Sequence, residues 1–256
     1  MARVPRRIVS LVPSVTETLF ALGVGDAVAG VTAYCVEPRE GVAPKIKVGG
    51  PKDPKLDLIR SLSPDLVVAN VEENVKEHVE QLREWGILVF VTYPGTVREG
   101  IEMIRELGAL TGASERAEEI AGEIEPLYRQ AVNLSRTWRP ARVFCPIWRN
   151  PYMTVNRDTY IHDVLAVCGG ANVFADLPER YPEVTLDQMA AAEPEVIVLP
   201  DEPYRFRRAH VKDFERYADV PAVRDGRIHL VDGKLLCWYG PRIREALQTI
   251  PALLHL

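Results

Sequence analysis

Short apolar runs alternate with stretches whose apolar residues recur at helical spacing, and this alternation governs most of the chain. Arg7–Val12 reads as a short buried strand. Val15–Leu22 reads as a helix with Ser14 as its N-cap and Glu17 at capping-box spacing, stopped by Gly23 and Gly25. Ala27–Thr32 is the next strand. Leu56–Ser61 (helix), Leu66–Ala69 (strand), Val75–Trp85 (helix) and Ile87–Val91 (strand) follow. Strands alternating with helices imply right-handed crossovers and mainly parallel pairing.

The middle breaks that rhythm. Thr96 caps a helix to about Gly108, and Ser114 opens another with no strand between. Ala117, Ile120, Ala121, Ile124, Leu127, Tyr128, Ala131 and Leu134 keep a helical period up to Arg136, with Pro126 inside as an expected kink. The alternation then resumes. Ala141–Ile147, Val196–Leu199 and Ile228–Val231 read as strands. Ile161–Cys168, Leu186–Ala191, His210–Arg216 and Ile243–Leu254 read as helices. The expected organisation is an N-terminal α/β lobe (1–112), a connecting long helix (113–138) and a C-terminal α/β lobe (139–256). One echo links the lobes: SLSPDLVVAN (61–70) and AAEPEVIVLP (191–200) are both helix end, Pro, acid, apolar strand.

Composition narrows the partners. A length of 256 residues with 47% hydrophobic and 26% charged positions suits a protein with a true core. A net charge of −5 argues against nucleic acid, which needs concentrated Lys and Arg. No apolar run reaches the roughly 18 residues of a membrane helix. Seven residues precede the first apolar run, which Pro13 ends, so the start does not read as a secretory signal and a cytoplasmic location stays open. Cys35, Cys145, Cys168 and Cys237 are scattered, as expected of mostly buried thiols rather than a metal site.

Catalytic signatures are missing: there is no GxSxG, HExxH, GxxxxGK[ST] or GxGxxG after a strand, and the five histidines are isolated. The chain is therefore read as a binder and not an enzyme, with no intrinsic cofactor and no protein-held metal. Ligands of parallel α/β sheets sit at the carboxyl ends of strands. The loops there carry Ser14, Tyr34, Gly50, Asn70 and Tyr93 in the first lobe. Trp148, Tyr152, Tyr204, Trp238 and Tyr239 lie in those of the second. Aromatics on loop tips supply rigid contact area for a flat or bulky ligand, so these ten residues form the candidate ligand-binding set.

Four phrases, RIVSLVPSVTETLFALG (7–23), KVGGPKDPKLDLIRSLSPDLVVA (47–69), VLAVCGGANVFADL (164–177) and YPEVTLDQMAAAEPEVIVL (181–199), carry a specific resemblance. Their order is similar to that in the substrate-binding proteins of ABC importers for cobalamin and ferric siderophores, and closest to the cobalamin-binding members. The resemblance implies a class III periplasmic-binding-protein-like fold: two Rossmann-like α/β lobes with mainly parallel sheets, joined by a single long helix, with the ligand in the cleft between lobes and little closure on binding. It implies a corrinoid (cobalamin-like) ligand, an ABC transporter permease as partner, a monomer and a periplasmic location. Ferric siderophore or heme on the same fold, or a cytoplasmic corrinoid carrier or sensor, are the alternatives. Arg149, Arg157, Arg180, Arg205, Arg207 and Arg208 are the cations available to an anionic siderophore. Tyr34 falls where the cobalamin-binding members carry a ligand-facing tyrosine, Asn70 falls where a tryptophan is expected, and Trp238 lies near a second such position. Transporter docking by an acidic residue is expected at Glu72 and Glu73, the family position itself falling on Lys76. The cysteine that would pair with Cys168 in the last helix is missing, which favours a reduced thiol.

Overall fold

A computed structural model of the protein describes residues 4–255. Nine strands are defined among them: β1 (Ile8–Ser10), β2 (Val28–Val31), β3 (Ile46–Lys47), β4 (Leu66–Asn70), β5 (Val89–Thr92), β6 (Ala141–Phe144), β7 (Gly170–Asn172), β8 (Val196–Pro200) and β9 (Ile228–Val231). They form two sheets, ordered β3-β2-β1-β4-β5 and β7-β6-β8-β9. Every pairing within them is parallel. The central strands β4 and β8 are buried along their whole length, which explains why both are continuous apolar runs and not alternating ones.

Residues cluster into two compact units. One comprises Met1–Pro94, Glu99–Glu123 and Tyr239–Pro241; the other comprises Gly95–Arg98, Ile124–Trp238 and Arg242–Leu256. In the first, Val9, Leu11, Ile59, Val67 and Leu82 form the heart of the core. In the second, Phe144, Met189, Ile197, Leu199 and Phe214 do so, with Phe144 edge-on to Phe214 at 6.4 Å. The helix Ser114–Ser135 carries Pro126 inside it and contributes residues to both units.

The sequence echo is a structural unit built twice. In the first unit Asp65 accepts the backbone N–H groups of Arg6 (2.8 Å) and Arg7 (2.9 Å), while Arg7 Nε donates to the Leu62 carbonyl (2.7 Å). In the second, Glu195 accepts the backbone N–H of Arg142 (2.9 Å), and Arg142 Nη2 donates to the Ala192 carbonyl (2.7 Å). Each acid also returns its own N–H to the carbonyl of the same arginine, Asp65 to Arg7 and Glu195 to Arg142. The residue before each proline, Ser63 (φ 46°) and Glu193 (φ 42°), lies in the left-handed region as the chain leaves the helix for the strand. Each clasp fixes the edge of a first strand (β1 or β6) to the start of its neighbour (β4 or β8).

Three expectations need correction. The helix after β1 runs Pro13–Ala21 with Val12 as N-cap and Pro13 in its first turn. Proline's fixed φ starts the helix two residues early, so Ser14 lies inside the first turn and no side chain caps it. The expected helix at His210–Arg216 is a 3₁₀ turn, Arg208–Asp213. The edge strands β3 and β7 carry too short a pattern to be read; β7 opens on Gly170, where a Cβ would press on the Leu165 carbonyl at 3.0 Å. Other ends move by one to three residues, as β5 does at Val89–Thr92 and the helix Lys76–Glu84.

Candidate functional site

In each sheet the first strand lies between a neighbour reached earlier and one reached later, which creates a switch point at the carboxyl ends: β1/β4 in the first sheet and β6/β8 in the second. Loops diverge there and leave room for a ligand.

At the β1/β4 switch point a buried polar bracket shapes the loops. Asn70 ends β4; its Nδ2 donates to the Thr92 carbonyl (3.0 Å), Thr92 Oγ1 (3.2 Å) and the Tyr239 phenol (2.7 Å). Its Oδ1 accepts the N–H groups of Glu72 (2.8 Å) and Glu73 (3.2 Å). Asn74 Oδ1 accepts the Asn70 N–H (2.8 Å), and Asn74 Nδ2 reaches the Pro51 carbonyl (3.1 Å). Asn70 is thus engaged by protein on every side and buried, which assigns it to holding the loop. Tyr239 is also buried, and burial pushes its phenol well above the ordinary tyrosine range. Ser14 Oγ is buried without a hydrogen-bond partner of good geometry, yet lies near enough to the Tyr239 phenol to favour its ionised form slightly.

Around this bracket the loop tips are open. Tyr34, after β2, is 65% exposed, and Tyr93, after β5, is 49% exposed. Val71, after β4, is exposed as well. Gly50 is buried beneath: a Cβ there would collide with the Asp53 carboxylate and lie 3.5 Å from the Tyr34 ring. Glu72 and Glu73 are half-buried on the same rim, where Lys52 Nζ donates to the Glu72 carbonyl at 2.6 Å. Lys76 opens the next helix, paired with Glu80 at 3.6 Å.

The β6/β8 switch point of the second unit is aromatic. Trp148 is 44% exposed and stands edge-on to Tyr204 at 5.5 Å. Tyr204 meets Phe206 at 4.8 Å, and Phe206 stacks on Tyr152 at 6.3 Å and 20°. The Tyr152 hydroxyl donates to Asp213 Oδ2 (2.6 Å), and the Arg149 guanidinium grips the same carboxylate through Nε (2.7 Å) and Nη2 (3.2 Å). That guanidinium holds the Asp213 carboxyl below its ordinary value, while burial, then Asp213, push the Tyr152 phenol up. Arg149 is thereby committed to an internal pair.

Trp238 is turned inward. It is 5% exposed, its indole N–H donates to Glu202 Oε2 at 2.9 Å, and Lys234 and Arg242 face its ring at 5.9 and 5.5 Å. Burial raises the Glu202 carboxyl. All four cysteines are unpaired thiols; Cys35, Cys145 and Cys168 are buried, and burial pushes the Cys145 and Cys168 thiols up to about 12.

Of the expected ligand-facing residues, Tyr34, Tyr93 and Trp148 stand exposed at the loop ends, while Tyr152 and Tyr204 are half-buried against the core of the second unit. Ser14, Gly50, Asn70 and Tyr239 are buried in the first unit and Trp238 in the second. Sequence reading missed the Arg149–Asp213–Tyr152 triad because Asp213 sat in an expected helix, and missed Asn74 and Thr92. The one available signal for the bracket was an asparagine closing an otherwise apolar strand. Among the described residues no group of three His, Cys, Asp or Glu side chains converges to hold a metal, and no helix is long and apolar enough to cross a membrane.

Known proteins are similar to this chain in sequence and fold. The chain is 31% identical over 196 residues to the Vitamin B12-binding protein of Photorhabdus laumondii, covering 76% of this chain and 70% of that protein. It is 29% identical over 258 residues to the uncharacterized ABC transporter substrate-binding lipoprotein YvrC of Bacillus subtilis, covering 96% and 79%. The crystal structure of the periplasmic vitamin B12 binding protein BtuF of Vibrio cholerae superposes with a TM-score of 0.87 over 98% of this chain and 96% of that one, at 23% identity, a likeness of fold. The family described as Periplasmic binding protein matches residues 8–235, a span that holds both sheets, so this chain belongs to that family.

Proposed function

We propose that the protein is the solute-binding component of an ABC importer and that it holds a corrinoid without chemical change. The observation that carries the reading is the set of exposed aromatics at the carboxyl ends of both sheets, Tyr34 and Tyr93 on one and Trp148 on the other. Large rings at solvent-facing positions gain nothing from core packing, and they suit a broad, flat macrocycle whose faces are apolar. The buried bracket behind Tyr34 and the interlocked aromatics behind Trp148 keep these rings in place before the ligand arrives, which lowers the entropic cost of binding. The B12-binding name of a 31% identical relative supports the corrinoid, and the lipoprotein name of the second relative supports the transporter. Glu72 and Glu73, on the rim of the first unit, are the docking candidates. The protein then works in the periplasm or at the outer membrane-facing surface of the cell envelope.

Calorimetry with cyanocobalamin, dicyanocobinamide and hemin tests the ligand. Micromolar or tighter binding of a corrinoid is expected, with Tyr34→Ala and Trp148→Ala each weakening it by roughly tenfold or more. Heat with hemin alone would move the assignment to heme, and no heat and no thermal shift with any of the three would end it. Fractionation of native cells tests the location: protein confined to the cytosol excludes delivery to an importer.

A further inference from the structure

The segment Tyr204–Arg207 alternates aromatic and cationic residues. The backbone turns at Arg205, where the Phe206 N–H donates to the Tyr204 carbonyl at 2.9 Å, and is extended at Arg207 (φ −138°, ψ 163°). Phe206 is buried with Tyr204 packed on it, while Arg205 and Arg207 are exposed at the surface. There they line a groove of about 430 Å³ at the carboxyl ends of β8 and β9, together with Leu199, Phe206, Leu230 and Val231 as its apolar surface. Leu230 is 47% exposed, a large aliphatic side chain open to solvent beside two cations.

The two acids of the groove are held by backbone N–H groups. Asp201 Oδ1 accepts the Gly233 N–H at 2.8 Å, and Asp232 Oδ1 accepts the Lys234 N–H at 3.0 Å and faces the Lys234 ammonium at 3.3 Å. Arg205 and Arg207 enter no ion pair among the described residues, in contrast to Arg149 on Asp213 and Arg157 on Asp176. Two guanidinia lining one groove repel one another and present forked N–H donors beside an apolar floor. An oxyanion seated between them removes the repulsion and fills the donors.

We propose that this groove is a binding site for an oxyanion, phosphate or carboxylate, carried on an apolar small molecule. The anion is either a free metabolite or an arm of the transported ligand, such as the phosphodiester that cobalamin has and cobinamide lacks. The site stands on the second unit alone and does not depend on the corrinoid reading.

Arginine side-chain Nε–Hε NMR signals of the ¹⁵N-labelled protein separate the cases. Inorganic phosphate, octyl phosphate and cyanocobalamin are titrated singly, with octanol and cobinamide as anion-free controls. If octyl phosphate moves the Arg205 and Arg207 signals more strongly than phosphate does, and octanol does not, the site takes a free anion. If only cyanocobalamin moves them and cobinamide does not, it is a subsite of the transported ligand. Either result supports the proposal, provided R205Q/R207Q, at exposed positions where folding is preserved, weakens the effective probe by roughly tenfold or more. Signals unmoved by all three anions, or an affinity unchanged in R205Q/R207Q, would overturn it.

Discussion

Asn70 shows what a sequence can and cannot say of a single polar residue. A polar side chain closing an apolar strand is visible as a break in pattern, but its direction is not. Here the amide is turned inward and holds five partners on three segments. Asn70→Ala is expected to cost about 3 kcal/mol, because it takes the acceptor from two half-buried N–H groups as well as removing the buried amide's own bonds. Tyr239→Phe keeps the ring and removes only the hydroxyl, and should cost about 1 kcal/mol; urea denaturation of both variants gives the comparison. Asp213 makes a pH-dependent contribution of known sign. Arg149 depresses its folded-state pKa, so its stabilising effect is complete above the ordinary carboxylate pKa near ~4 and is lost as pH falls through the lower folded value. Wild type should therefore melt above Asp213→Asn at neutral pH, and the gap should narrow as the solution is taken from pH 5 toward pH 2. A gap that is constant over this range would show that the ion pair contributes no pH-dependent stability. Arg149 and Tyr152 were both visible as loop residues, but the partner that joins them was hidden in a segment whose helical spacing settles into a tighter turn.

At the scale of elements, most of the alternation was legible because buried parallel strands are continuous apolar runs. Leu56–Ser61, Leu186–Ala191 and Ile228–Val231 match their expected bounds to the residue. The strands that escaped, Ile46–Lys47 and Gly170–Asn172, are edges of two and three residues, where pairing with a neighbour and not side-chain pattern makes the strand. The helix start at Pro13 escaped for a different reason: serine and proline both favour that region, and only the structure shows which one the backbone used. The repeated clasp gives a paired prediction. Ser63 and Glu193 adopt left-handed backbone that L-residues disfavour, so Ser63→Gly and Glu193→Gly should each stabilise by about 0.5–1 kcal/mol. Asp65→Ala and Glu195→Ala should each destabilise by about 1 kcal/mol. If one member of either pair responds and its counterpart does not, the two clasps are similar in shape only.

For the whole molecule, the two sheets and the long intervening helix were legible, since each rests on patterns spread over many residues. Which loop aromatics stay open was not. Tyr34 and Tyr239 look alike in a sequence, and their exposures of 65% and 5% follow from contacts with residues far along the chain. The boundary between units was equally hidden, because Tyr239–Pro241 belongs with the first unit although 144 residues separate it from the end of that unit's first stretch at Pro94 (239 − 94 − 1). Gly240 makes this possible: with φ 105°, it passes so close to Thr18 that a Cβ would strike the Thr18 hydroxyl. A fragment of residues 1–138 should consequently exchange its amide hydrogens faster at 70–74 and in the first turn after Pro13 than the intact chain does, and equal protection would show that the returning segment contributes nothing there. The same three residues bear on modularity. A chimera that imports a first lobe from a relative by splicing at one point would graft foreign walls onto a native tyrosine, so exchange of lobes must be engineered as a two-site transplant, with the distant tripeptide travelling alongside its lobe.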